Sequence, residues 1–118
     1  MEEEAGVLLS SGAFSETLEP LEREIAMALY GLEEAEVLDC AAYLSTGATA
    51  EECTCILAAD EESAAEVKEA LETRVEEQLA VLADYQPAEV EKLENAAIDT
   101  QKRSDGVRVR LVVSAGEL

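Results

Sequence analysis

The residues best able to do chemistry are three cysteines: Cys40, and the Cys53-x-Cys55 pair that follows Glu51-Glu52. Three chemistries compete for them. Structural zinc takes four Cys or His ligands, and the chain has three Cys and no His. A carboxylate could complete a set, but no usual zinc spacing is present. A redox pair normally reads Cys-x-x-Cys, and cysteines at i and i+2 of one strand suit a disulfide poorly. The third reading is packing, because a free thiol behaves as a small buried hydrophobe. In a strand, residues 53 and 55 point to the same side. If "GATA" closes a hairpin, residues 44, 42 and 40 face 53, 55 and 57. Cys40, Ala42, Leu44, Cys53, Cys55 and Leu57 then share one apolar face, which is expected to lie under the helices. On this reading the thiols are reduced and no metal or cofactor is held.

Other chemistry is thinner. Without His the commonest general base near neutral pH is absent, so Ser-His-Asp and Cys-His arrangements cannot form. No Gly-rich phosphate loop or EF-hand spacing appears. Paired carboxylates can hydrolyse glycosides, but among 28 acids two neighbours arise by chance. Glu51-Glu52 reads most simply as a solvated hairpin end.

The elements that must position these residues come from a chain of 118 residues, enough for one domain. Apolar residues make up 48% and aromatics 3%, so small aliphatic side chains fill the core. The net charge of −20 disfavours nucleic acid and anionic lipid, and favours basic partners. Residues 2 to 36 hold ten acids and one base, Arg23. Five of the eight bases, Lys92, Lys102, Arg103, Arg108 and Arg110, lie in the last quarter.

Residues 1–15 lack periodicity and are expected to trail as a flexible segment before a single domain over 16–118. "SETLEPLEREIAMALYGLEE" reads as a helix with the stripe Leu18, Leu21, Ile25, Leu29 and Leu32 facing inward, Pro20 in its first turn and Gly31 at its end. "VLDCAAYLS" and "EECTCILAA" read as a hairpin about the "TGATA" turn. A rival reading opens a short helix on a Thr49-x-x-Glu52 capping box, against the β-type run Thr54-Cys55-Ile56. "DEESAAEVKEALETRVEEQLAVLADY" is a long helix capped by Asp60, with Ala64, Val67, Leu71, Val75, Leu79 and Leu82 buried. A short helix after Pro87 turns Val90 and Leu93 inward. "AAIDTQ" and "VRVRLVVS" form a second hairpin about Asp105-Gly106. There Val107, Val109, Leu111 and Val113 are inward, Ile98 is opposite Leu111, and Asp99 is opposite Arg110 as an exposed pair. The sum is an α+β domain: an antiparallel sheet of about four strands in two hairpins, with helices on one face.

The segments "STGATAEE", "AADEESAAEVKEALETR" and "YQPAEVEKLENA" resemble domain of unknown function 4358, a family of predicted lipoproteins of Gram-positive, clostridial-type bacteria. The likeness runs over residues 16 to 114. It implies a small exported domain, tied to the outer face of the membrane by a lipidated cysteine, and it brings no activity, ligand or catalytic residue. The start "MEEEAGVLLSSG" is acidic where an export signal needs a basic segment. Taken as it stands the chain reads as cytoplasmic; alternatively, an export signal and lipobox precede it.

These readings point to a non-catalytic domain that binds or scaffolds at the cell envelope. The partner is a protein or a wall polymer, not nucleic acid, and the membrane is met only through a lipid anchor. The candidate patch is Arg108 and Arg110, projecting together, with Lys102 and Arg103 near the turn; arginine's planar fork of donors suits carboxylates and phosphates. The alternatives are an acidic cytoplasmic protein that occupies a basic partner's site, and a carboxylate-based envelope hydrolase.

Overall fold

The computed structural model describes residues 1–32 and 35–116. Among them the chain runs through helix α1 (Glu2–Leu9), strand β1 (Glu19–Leu21), helix α2 (Arg23–Tyr30), and strands β2 (Val37–Leu44) and β3 (Glu52–Ala58). It continues through helix α3 (Glu61–Tyr85), a 3-10 turn (Pro87–Glu89), helix α4 (Val90–Glu94), and strands β4 (Ala97–Arg103) and β5 (Gly106–Val113). The strands form one antiparallel sheet in the order β1-β2-β3-β5-β4. This is the expected α+β class, with five strands described rather than about four.

The added strand comes from the stretch around Pro20. Proline lacks an N–H, so in a sheet it belongs at an edge, and β1 is an edge strand in which Pro20 faces Tyr43. The helix therefore starts later than the sequence pattern predicts. Its buried residues are Ala26 and Tyr30, whereas Ile25 is 53% and Leu29 41% exposed. Of the expected inward stripe, Leu18 and Leu32 are buried and Leu21 packs against the core, whereas Ile25 and Leu29 face solvent. Gly31 does end it, in the left-handed region at φ 68°.

The long helix matches its pattern in its first half, where Ala64, Val67 and Leu71 are buried, while Val75, Leu79 and Leu82 pack half-buried against the core. The Asp60 side chain accepts from the Ser63 N–H at 2.8 Å and caps the first turn. Val67 and Leu71 are fully buried against Ile56, Val109 and Leu111 on one face of the sheet.

The other face is covered too, which corrects the expectation of helices on one side only. Residues 2–9, expected to trail, form α1, and its Ala5 and Leu8 pack over Ala41, Cys53, Cys55 and Val112. With cover on both sides, all seven residues of β3 are buried.

The β2–β3 register is one residue away from the expected one. Leu44 faces Glu52, Ala42 faces Thr54 and Cys40 faces Ile56. The cause is the loop. Ser45 Oγ accepts from the N–H groups of Gly47 and Thr49, Thr49 Oγ1 accepts from Glu51 N–H, and Ser45 N–H reaches the Glu51 carbonyl. These bonds hold a longer loop than a tight "GATA" turn. A one-residue slip turns every side chain to the other face, so Cys53 and Cys55 lie beneath α1 while Cys40 packs half-buried on the α3 side. The three thiols do not share a face.

The second hairpin has the expected register: Ile98 faces Leu111, Asp99 faces Arg110 and Lys102 faces Val107. Leu111 is 1% exposed.

Candidate functional site

The four predicted patch residues lie on the β4–β5 hairpin, and each is engaged by an acid of this chain. Lys102 pairs with Glu61 on the α3 side. Arg103 meets Glu4 and Asp105. Arg108 reaches Glu4 at 2.8 Å and Asp99 at 2.5 Å, and Arg110 reaches Asp99 at 2.6 Å. The Asp99–Arg110 pair expected to be exposed is only partly so. Arg108 is buried at 9% exposure, because Glu4 of α1 lies against it. An anionic partner at this face must therefore displace Glu4 and Asp99.

Glu51 and Glu52, expected to be solvated, are buried at 1% and 4% exposure. Glu51 accepts from the Ser15 N–H at 2.7 Å, from the Ser15 hydroxyl, and from Lys92 Nζ at 3.0 Å. Burial pushes its carboxyl pKa up, but the bonds from Ser15 and Lys92 outweigh this and hold it below the ordinary value. Lys92 also pairs with Glu89, which accepts the Ala50 N–H at 2.9 Å. Glu52 takes the Tyr30 hydroxyl at 2.6 Å and two N–H bonds from Arg74. Tyr30 uses its proton on Glu52, so the Thr54 hydroxyl, 2.6 Å away, donates to Tyr30. Both carboxylates thus tie loops and helices to the end of β3; they border one small cavity of about 220 Å³ beneath the 45–50 loop, with their oxygens already engaged by Ser15, Lys92, Tyr30 and Arg74.

The thiols sit in different surroundings. Burial pushes the Cys40 thiol up to about 11. Interaction between the neighbouring Cys53 and Cys55 thiols raises the pKa of Cys53 and lowers that of Cys55. Among the described residues no group of three or more His, Cys, Asp or Glu is placed to hold a metal ion.

The surface that sequence reasoning missed lies between α2 and α3. A cleft of about 410 Å³ has Ala28, Leu29 and Ala70 on its apolar side and Glu66, Glu69 and Glu77 along α3, with Arg74 between them paired to Glu52. Ile25 is one helical turn before Leu29 and extends the apolar strip across solvent. The signal was present in the sequence, since α2 also carries Ala26 and Tyr30 at helical spacing. That second stripe was available for burial in place of Ile25 and Leu29.

A family model described as Domain of unknown function (DUF4358) matches residues 10–108. The chain belongs to this family. The match takes in the α2–α3 cleft of the DUF4358 domain, the Glu51 and Glu52 clusters, and the Cys53–Cys55 pair. No curated protein and no solved structure matches the chain. In the DUF4358 domain, among the described residues, no helix is long and apolar enough to cross a membrane.

Proposed function

We propose that this DUF4358 domain is a non-catalytic binding module that works at the outer face of a cell envelope, where it holds a basic, partly apolar segment of a partner protein. The observation that carries the reading is the uncovered strip Ile25–Leu29 beside the acids of α3. Large apolar side chains at i and i+4 of one helix are what an amphipathic partner segment covers. The acidic rim, on a chain of net charge −20, selects a cationic partner and speeds its encounter. The internal engagement of Glu51 and Glu52 supports binding over carboxylate hydrolysis. The envelope location and the lipid anchor rest on the family resemblance.

The test uses a synthetic amphipathic Lys/Leu helix and an oligolysine of equal charge, followed by fluorescence anisotropy. Ile25→Ser/Leu29→Ser is expected to weaken the amphipathic peptide roughly tenfold through lost apolar contact and to leave oligolysine unchanged. Equal loss for both peptides, or none for either, rejects the cleft as the binding surface. Incorporation of a labelled fatty acid into the protein expressed in its own host tests the anchor. Turnover of an envelope glycan that Glu51→Gln abolishes would replace this reading with a hydrolase.

A further inference from the structure

The sheet face beneath α1 carries chemistry that the cleft does not use. Cys53 and Cys55 are both 0% exposed and project to the same side of β3. The β3–β5 register places Arg110 opposite Cys55 and Arg108 opposite Leu57, on this same face. Arg108 Nε is buried with no hydrogen-bond partner among the described residues. Arg110 and Arg108 favour the thiolate of Cys55 while burial and Glu4 oppose it, so withdrawal of Glu4 and entry of water favour the nucleophilic form.

The helix over this pair is a small element, with Phe14 and Leu18 packed in the same cluster. Helix α1 has eight residues, of which Ala5 and Leu8 are buried, while Val7 is 73% exposed. Its Glu4 bridges Arg103 and Arg108. Behind the helix comes Ser10-Ser11-Gly12, with Gly12 at φ 86°, a conformation side chains rarely adopt. The next residue is fixed: the Ala13 carbonyl accepts from the N–H groups of Ala115 and Gly116, both at 2.9 Å. On its C-terminal side α1 is joined through Ser10, Ser11 and Gly12, at its start the Met1 amino group pairs with Asp39 of β2 at 2.5 Å, and lifting the helix breaks none of the sheet's backbone hydrogen bonds.

We propose that Cys53 and Cys55 form a gated thiol site for soft electrophiles, with α1 as its hinged cover and Glu4 as the electrostatic latch. Local opening of so small an element lies far below global unfolding in free energy. The latch is partly solvated, so salt weakens it by screening.

N-ethylmaleimide is the probe. Addition forms a bond from sulfur to one alkene carbon and leaves the thiol proton on the other. Labelling of each cysteine is followed by peptide mass spectrometry at low and high salt, with amide exchange of the α3 core measured in parallel. Cys53 and Cys55 are expected to label several-fold faster at high salt. In low salt, Glu4→Gln is expected to raise their rate roughly 3–10-fold, as the loss of two partly exposed ion pairs implies, and to blunt the response to salt. The α3 amides stay unchanged, and Cys40 on the other face serves as the internal reference. Equal rates in wild type and Glu4→Gln overturn the proposal. So does acceleration of Cys53 and Cys55 only in step with α3 exchange, the pattern that the globally destabilised Gly106→Ala variant calibrates.

Discussion

Tyr30 of α2 and Glu52 of β3 meet through a 2.6 Å hydrogen bond in which the phenol donates to the carboxylate, and both residues are buried. Helix orientation and strand register are coupled at this contact. Tyr30→Phe removes a donor to a buried carboxylate and an acceptor for Thr54, at an expected cost of about 1–3 kcal/mol. The check is a lower urea midpoint at unchanged slope.

The same tyrosine predicts an alkaline limb. Burial, and then Glu52, raise its pKa well above the ordinary 10.0. The folded state then holds its proton where the unfolded state releases it, so stability falls as pH rises past that value. Thermal unfolding above pH 10 is expected to be steeper in wild type than in Tyr30→Phe.

Glu51 predicts the opposite limb. Its folded pKa lies below the ordinary 4.5, so its contribution is present above that value and lost as pH falls through the folded pKa. Glu51→Gln is expected to flatten the fall in melting temperature below about pH 4.5. An unchanged acid slope would show that other carboxylates carry it.

At Gly106 the backbone has φ 150°, and a β-carbon there would lie 2.4 Å from the Ala58 carbonyl oxygen. Gly106→Ala must strain the β3–β5 junction, at about 1–3 kcal/mol. Gly47, at φ 113° with open space around it, has only the backbone term. Gly47→Ala is therefore expected to shift the urea midpoint less.

Leu111→Ala is expected to cost roughly 2–5 kcal/mol through transfer and cavity terms, since Leu111 is 1% exposed. Leu29→Ala should stay within about 0.5 kcal/mol, because its side chain already meets water. Paired chemical denaturation curves separate the two. A large loss at Leu29 would mean that the strip is packed in solution.

The sequence determined those elements whose pattern permits one arrangement. Valines and leucine alternating with arginines over residues 107–111, directly after a tight Asp-Gly turn, fix the faces and register of the second hairpin. The Asp60 cap and the stripe from Ala64 to Leu82 do the same for α3.

Tertiary structure decided the rest, for a common physical reason: a local pattern reports a period but not which surface finds a partner. Helix α2 has two apolar stripes, and Ala26–Tyr30 is buried because only Tyr30 brings a hydroxyl to Glu52 and Thr54. Loop bonds from Ser45 and Thr49 shift β3 by one residue and send Cys53 and Cys55 to the far side. Residues 2–9 have little periodicity of their own, yet they fold where that far side leaves apolar surface to cover. The arginines read as a free patch are paired because Glu4, about a hundred residues earlier in the chain, is carried onto them by that docking.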